Sequence, residues 1–250
     1  MDINSDINVL GGLSDFSAIL YFSHREGPQS NVGKEFSTLP TMRTHKTYKR
    51  YRKAILNSIL SYRNQSIESM IRSSLDTSGL SDNNLFLLFW NMSANNELFN
   101  YINTNVFFPA YYSGRASIRK NEVLACLIEL KQKELAMGDW SINTIDLTAS
   151  KYLTLLKKFH LLEGVQRKSI LHHFINDEAF LNFIYWVIEI EESKNILNSK
   201  WLQYSLMEED VFIEKIMQKR FMKIFNIDFT GNNLQIEVLI PYGVVYDEFK

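Results

Sequence analysis

The chain has 250 residues, of which 46% are hydrophobic, 13% aromatic and 22% charged, so it holds ample core material and is not a disordered polypeptide. Gly (10) and Pro (4) are scarce, which excludes a many-stranded sandwich or barrel and favours long helices on short connections. The net charge of −1 conceals an asymmetry: residues 1–33 carry −3, 34–72 carry +7, 73–176 carry +1 and 177–250 carry −6.

No apolar run approaches the roughly 20 residues a bilayer requires, and a soluble, cytoplasmic protein is expected. The single cysteine, Cys126, cannot form an internal disulfide or build a thiolate zinc site alone. Its apolar run, 123–130, predicts a buried inert thiol.

In chain order, the first amphipathic segment is 14–24, with Ser14 as its N-cap, followed by a break at Glu26-Gly27-Pro28. A second short helix is expected over 29–36. Leu39-Pro40 then resets the backbone, because the residue before proline avoids the helical region. The third segment, 44–63, is clearer. Tyr48, Tyr51, Ile55, Ile59 and Tyr62 recur at spacings of three and four and share one face.

Arg43, Lys46, Arg50 and Lys53 fall opposite that face, with Lys49 beside them. Most charge runs are solvated faces of mixed sign, whereas this one has no acid between Arg43 and Gln65. Clustered cations at the start of a helix oppose its macrodipole, and their placement suits the N-terminal part of a recognition helix against phosphate. Two short helices and a longer basic one read as a helix-turn-helix-like bundle.

Helices are expected over 66–75, 82–92 and 94–105, with Ser66, Ser81 and Ser93 as caps. The stretch 107–114 holds four aromatics, a proline and a glycine and reads as a junction between two domains, with an aromatic base-stacking platform as the alternative. A helix over 117–137 should end at Gly138, and Ser141 should cap the next, which runs from 142 to about 160.

That next helix turns Ile145, Ala149, Tyr152 or Leu153, Leu156 and Phe159 inward, whereas Thr144, Thr148, Lys151 and Lys158 line another side. Leu161-Leu162-Glu163-Gly164, the basic Gln166-Arg167-Lys168-Ser169 and Ile170-Leu171 then read as a short hairpin. Helix, turn, helix and hairpin make a winged helix. In such a unit hydroxyls and lysines face the groove, and Arg167 and Lys168 reach phosphate.

The remainder is acidic, with helices expected over 177–192, 196–206 and 208–226 and a terminal hairpin spanning 227–240, closed by Pro241. It suits a protein partner better than phosphate. No catalytic motif is recognisable. His172 and His173 are adjacent and point apart, and Glu189, Glu191, Glu192, Glu208, Glu209 and Asp210 lack a basic or histidine partner at helical spacing. A non-enzymatic protein without metal or cofactor is expected.

The stretch Trp140-Ser141-x-x-Thr144, Ala149-Ser150-Lys151-Tyr152-Leu153 and Leu156-Lys157-Lys158-Phe159-His160-Leu161-Leu162-Glu163-Gly164 resembles the BrxA family of bacteriophage-exclusion (BREX) anti-phage defence systems. The basic helix 44–62 is similar to that family's N-terminal helical segment, and the resemblance spans roughly residues 10 to 190. It implies a small, non-enzymatic, mostly helical component of a multi-gene defence system that binds double-stranded DNA. The family has also been compared with the antitermination factor NusB, which implies RNA instead.

The expectation is therefore a mainly α protein of two domains. Residues 1–113 form an N-terminal helix-turn-helix-like domain, and residues 114–250 a C-terminal winged-helix-like domain with an acidic helical extension and a little β-hairpin. The expected nucleic-acid contacts are Arg43, Lys46, Lys49, Arg50, Lys53, Thr144, Thr148, Lys151, Lys158, Arg167 and Lys168. Duplex DNA is the expected partner. RNA binding, or a scaffold that docks another defence protein through the acidic region, are the alternatives.

Overall fold

The computed structural model describes residues 3–25, 42, 44–78 and 80–248, and over them the protein is mainly helical. Among the described residues no helix is long and apolar enough to cross a membrane. The helix expected over 29–36, and Arg43, lie outside the described residues. The chain forms two compact units, Met1–Ser61 with Ser74–His172 and Tyr62–Ser73 with His173–Lys250, rather than dividing near residue 113.

The first unit begins with α1 (Asp6–Leu10) and α2 (Ser17–Arg25). Asp15, not Ser14, supplies the capping oxygen of α2, accepting from the Ser17 N–H at 2.8 Å. Helix α3 (His45–Ser58) starts at Thr44, whose Oγ1 accepts from the Thr47 N–H at 3.1 Å. It stops a turn earlier than the periodicity predicts, because Asn91 donates to the Ile59 and Ser61 carbonyls at 2.7 and 2.9 Å and Asn95 donates to Ser61 at 2.8 Å. These amides replace the bonds that a further helical turn would have made.

The unit boundary falls inside α4 (Gln65–Ser78). Next come α5 (Asp82–Asn95) and α6 (Glu97–Ile102), separated by Asn96, whose Oδ1 accepts from the Phe99 N–H at 2.9 Å. Asn96 is the cap, and Ser93 instead lies buried inside α5 with its hydroxyl donating to the Phe89 carbonyl. A π-helical turn, Asn103–Phe107, leads into α7 (Phe108–Tyr112). Pro109, which has no N–H to donate, sits where the i→i−5 pattern of this turn, with the Phe108 N–H on the Asn103 carbonyl, gives way to α7.

The aromatic stretch is therefore helix inside the first unit, not an interdomain junction. Phe107, Phe108 and Tyr111 are buried, which also removes them as a base-stacking platform. Phe159 gathers Phe16, Phe89 and Phe99 at ring separations of 5.0, 5.6 and 6.1 Å. This shared aromatic core explains why residues 114–172 group with the N-terminal elements.

Beyond Gly114 lie β1 (Ser117–Ile118), α8 (Lys120–Lys133), a 3-10 turn (Leu135–Met137), α9 (Ile142–Lys158), β2 (Leu162–Glu163) and β3 (Lys168–Ile170). The helix expected from 117 thus yields its first residues to a strand and its last to the 3-10 turn. The Ser141 Oγ caps α9, accepting from the Thr144 N–H at 3.1 Å. The sheet order is β1-β3-β2, antiparallel throughout, with Ser117 opposite Ser169 and Leu162 opposite Ile170. Gly164 makes the hairpin turn with φ +85, and a Cβ there would meet the Arg167 carbonyl oxygen.

The second unit is built on α10 (Asp177–Ile190), buried on nearly every side. Phe180 meets Phe212 and Phe221 at 5.3 and 5.0 Å, and Trp186 meets Trp201 at 5.4 Å. Each such fully buried side chain contributes roughly 1.5–3 kcal/mol relative to exposure. Arg63 donates to the Ile190 carbonyl at 2.9 Å and Asn64 to Glu189 Oε2 at 2.8 Å, which ties the 62–73 segment to the end of α10.

The helix expected over 196–206 is instead two 3-10 turns, Ile196–Asn198 and Leu202–Ser205. Trp201 and Tyr204 pack inward around Trp186, and Leu206 takes the left-handed conformation with φ 56. The helix expected over 208–226 divides into α11 (Glu209–Ile216) and α12 (Lys219–Met222). The terminal hairpin is β4 (Phe225–Phe229) and β5 (Leu234–Val238), followed by α13 (Tyr242–Glu248).

Candidate nucleic-acid interface

Helix α3 carries the first basic surface. Tyr48 and Ile55 are buried, while Lys46, Lys49, Arg50 and Lys53 are exposed. Those four make no ion pair with any described residue. Tyr51 is half-buried, and Gly12 lies beneath its hydroxyl, since a Cβ built there would sit 3.1 Å from it.

The second surface is a concave one of about 770 Å³. Its lining comes from β1 and the start of α8, with Ser117, Arg119 and Lys120, from α9, with Ser150 and Thr154, and from the β2–β3 hairpin that pairs with β1, with Arg167 and Lys168. A neighbouring hollow of about 620 Å³ shares Ser117, Arg119 and Arg167 and adds Arg115 and Glu122. Two of these cations are matched locally: Arg115 pairs with Glu122 at 2.6 Å and Lys120 with Asp146 at 2.6 Å. The Arg115 guanidinium holds the Glu122 carboxyl below its ordinary range. Arg119 and Arg167 are exposed and make no ion pair among the described residues.

The Lys168 ammonium donates to the Val165 and Gly164 carbonyls at 2.7 and 3.3 Å, so it braces the hairpin tip. Burial, with the nearby Lys157 charge adding to it, lowers its pKa. Lys157 lies seven residues beyond Ser150 and three beyond Thr154, a spacing that puts all three on one helix face. The start of α8 adds its positive dipole end to the same hollow.

Not every expected contact belongs here. Thr148 is fully buried, with its hydroxyl donating to the Thr144 carbonyl at 2.8 Å. Thr144 is half-exposed, and its hydroxyl and N–H both engage the Ser141 Oγ. Lys151 is half-buried, with its Cβ pressed toward Gly11, where an added Cβ would lie 2.7 Å away.

Lys158 is a structural cation rather than a phosphate contact. Its ammonium donates to the Leu10, Gly11 and Leu13 carbonyls, at 3.2 and 3.3 Å for the first two, and lies 5.9 Å from the Phe16 ring centroid. Burial lowers its pKa to about 8, with Lys151 repelling it further and Asp15 acting the other way.

The sequence reading missed Arg115, Arg119, Lys120, Ser150, Thr154 and Lys157. A two-residue strand leaves no periodic signal, so Arg119 and Lys120 read as ordinary helix surface. Ser150 and Lys157 were visible on α9, but which of its polar flanks faces the hairpin depends on where α1 packs.

Cys126 is half-buried, and burial pushes its thiol up to about 11, so it is a poor nucleophile. Among the described residues no group of three His, Cys, Asp or Glu side chains could hold a metal ion. His172 stacks on Tyr111 with ring centroids 4.7 Å apart. Compared with protein-family models, curated proteins and solved structures, the chain has no match.

Proposed function

We propose that the protein is a non-enzymatic duplex-DNA-binding protein whose principal contact surface is the hollow between α8, α9 and the β2–β3 hairpin. The observation that carries this reading is the convergence of Arg119, Arg167 and Lys168 with Ser117, Ser150 and Thr154 from three elements on one concavity. Cations neutralise phosphate and release counterions, while hydroxyls and a helix N-terminus supply uncharged donors to the same oxygens.

The order α7, β1, α8, α9, β2, β3 with a β1-β3-β2 sheet supports a winged-helix unit, α9 being the groove-facing helix and the hairpin the wing. Exposed Lys46, Lys49, Arg50 and Lys53 on α3 form a second phosphate-contacting surface. Duplex DNA is favoured over single-stranded RNA because no exposed aromatic lines the hollow for base stacking. Resemblance to the BrxA family supplies the setting of this proposal, a cytoplasmic component of an anti-phage system.

Fluorescence anisotropy with a random labelled duplex of about 25 base pairs, titrated across salt, tests the reading, because the slope of log affinity against log salt counts phosphate contacts. Several contacts are expected. Absence of binding at low salt overturns the proposal, and tighter binding to an equal length of single-stranded RNA replaces DNA with RNA.

A further inference from the structure

The β4–β5 hairpin has an open edge beside an acid-rimmed groove. Its ladder is anchored at both ends, where the Thr230 N–H donates to the Asn233 carbonyl at 3.0 Å and the Leu239 N–H to the Ile224 carbonyl at 2.9 Å. Bonded and non-bonded pairs alternate in an antiparallel ladder. In the observed register, Asp228 with Gln235 and Asn226 with Glu237 are therefore the bonded pairs, and Leu234, Ile236 and Val238 turn their N–H and C=O groups outward. Leu234 shows the direction, since its N–H donates to Asn195 Oδ1 at 2.9 Å, outside the hairpin. Among the described residues, Ile236 and Val238 have no such partner.

A cavity of about 230 Å³ touches Gln235, Ile236 and Glu237 in succession. Neighbouring strand residues point to opposite faces, so a cavity touching all three follows the strand edge. The rest of the lining is the half-buried Ile188, with Ile196 buried at its base, and the carboxylates of Glu191, which already accepts from Ser199, Ser193 and Glu192, and Glu192, with Lys194 the one cation. Glu192 also pairs with Arg63 at 3.2 Å, yet its side chain stays 88% exposed.

We propose that this edge docks an extended segment of a protein partner, a strand alternating Lys or Arg with apolar residues. Its backbone would bond to Ile236 and Val238, its apolar side chains would meet Ile188 and the exposed Val238, and its cations would face the exposed Glu192 and Glu237. Strand addition of this kind draws affinity from main-chain bonds and specificity from alternate side chains. Residues 177–250 carry −6 overall, which attracts such a segment and repels nucleic acid.

The test uses the full chain and a fluorescein-labelled peptide of about ten residues alternating Lys and Val, a common strand length. Anisotropy should show saturable binding, and hydrogen-exchange mass spectrometry should show new protection centred on 234–238. A Glu–Val peptide, and a Lys–Val peptide N-methylated at alternate amides, should each bind about tenfold or more weakly. The double variant Glu192→Lys, Glu237→Lys, both sites being exposed, should weaken binding comparably with an unchanged melting curve. No binding of the Lys–Val peptide overturns the proposal. So does undiminished binding of the N-methylated peptide, or protection confined to other segments.

Discussion

The Tyr152 hydroxyl donates a 2.8 Å hydrogen bond to Asn103 Oδ1, and Asn103 Nδ2 in turn donates to the Ser93 hydroxyl at 3.1 Å. All three side chains are fully buried. A middle residue of α9 is thus coupled, through the π-helical turn, to α5. Buried polar chains of this kind are costly when one partner is lost, because the remaining groups keep their desolvation penalty. Tyr152→Phe should destabilise the protein by about 1–3 kcal/mol, measured by urea unfolding. In the Asn103→Leu background the same change should cost distinctly less, and equal costs would mean that the pair is not coupled.

Lys158 gives the stability a pH signature. Its folded pKa of about 8 lies below the ordinary lysine value of about 10.4, so between those pH values the unfolded chain binds more protons than the folded one. Stability contributed through this group therefore rises with pH across that window, and the charged form bears its desolvation cost below it. Urea unfolding of wild type and Lys158→Met at pH 7.5, 9 and 10.5 should give a difference that moves in favour of wild type as pH rises. A flat difference would assign the group an ordinary pKa.

DNA affinity should separate the cations of the hollow from Thr148, which is buried in the core. Arg119→Glu with Arg167→Glu should reduce affinity for a random duplex by more than about tenfold in low salt and flatten the salt slope. Thr148→Val should leave both unchanged, since its hydroxyl serves only the helix backbone. A loss on Thr148→Val matching that of the charge reversal would reassign the interface.

The β2–β3 turn depends on one backbone conformation. Gly164→Ala places a Cβ in the left-handed region and against the Arg167 carbonyl, a strain of about 1–3 kcal/mol. DNA affinity should fall with only a small change in overall melting temperature, because the hairpin is a peripheral element. A wild-type Kd in this variant would show that the hairpin turn does not position Arg167 for contact.

Helix periodicity was legible wherever one face alone was buried. The α3 stripe, the Ser141 cap and the inward residues Ile145, Ala149 and Phe159 all follow from spacing and cap chemistry. What escaped was whatever depended on a distant neighbour. Ser93 looked like a cap until Asn96 took that place, and the aromatics 107–112 resembled a linker because a π-turn has no compositional mark. Lys158 looked solvent-facing because nothing in α9 announces three carbonyls from residues 10, 11 and 13. The lining of the hollow fared likewise: Arg167 and Lys168 stand out from the hairpin sequence, but Arg119 lies beside them only through a two-residue strand.

The discontinuous second unit also has a temporal meaning. Asn64 leaves the ribosome 125 residues before Glu189, the carboxylate it will bond, and the first unit's return segment is made in between. During synthesis the 62–73 stretch, with its apolar Ile67, Met70 and Ile71, waits for the rest of its own unit, residues 173–250, while the first unit is completed. Any fragment ending near residue 172 would carry that stretch permanently orphaned, a sticky insertion in an otherwise complete bundle.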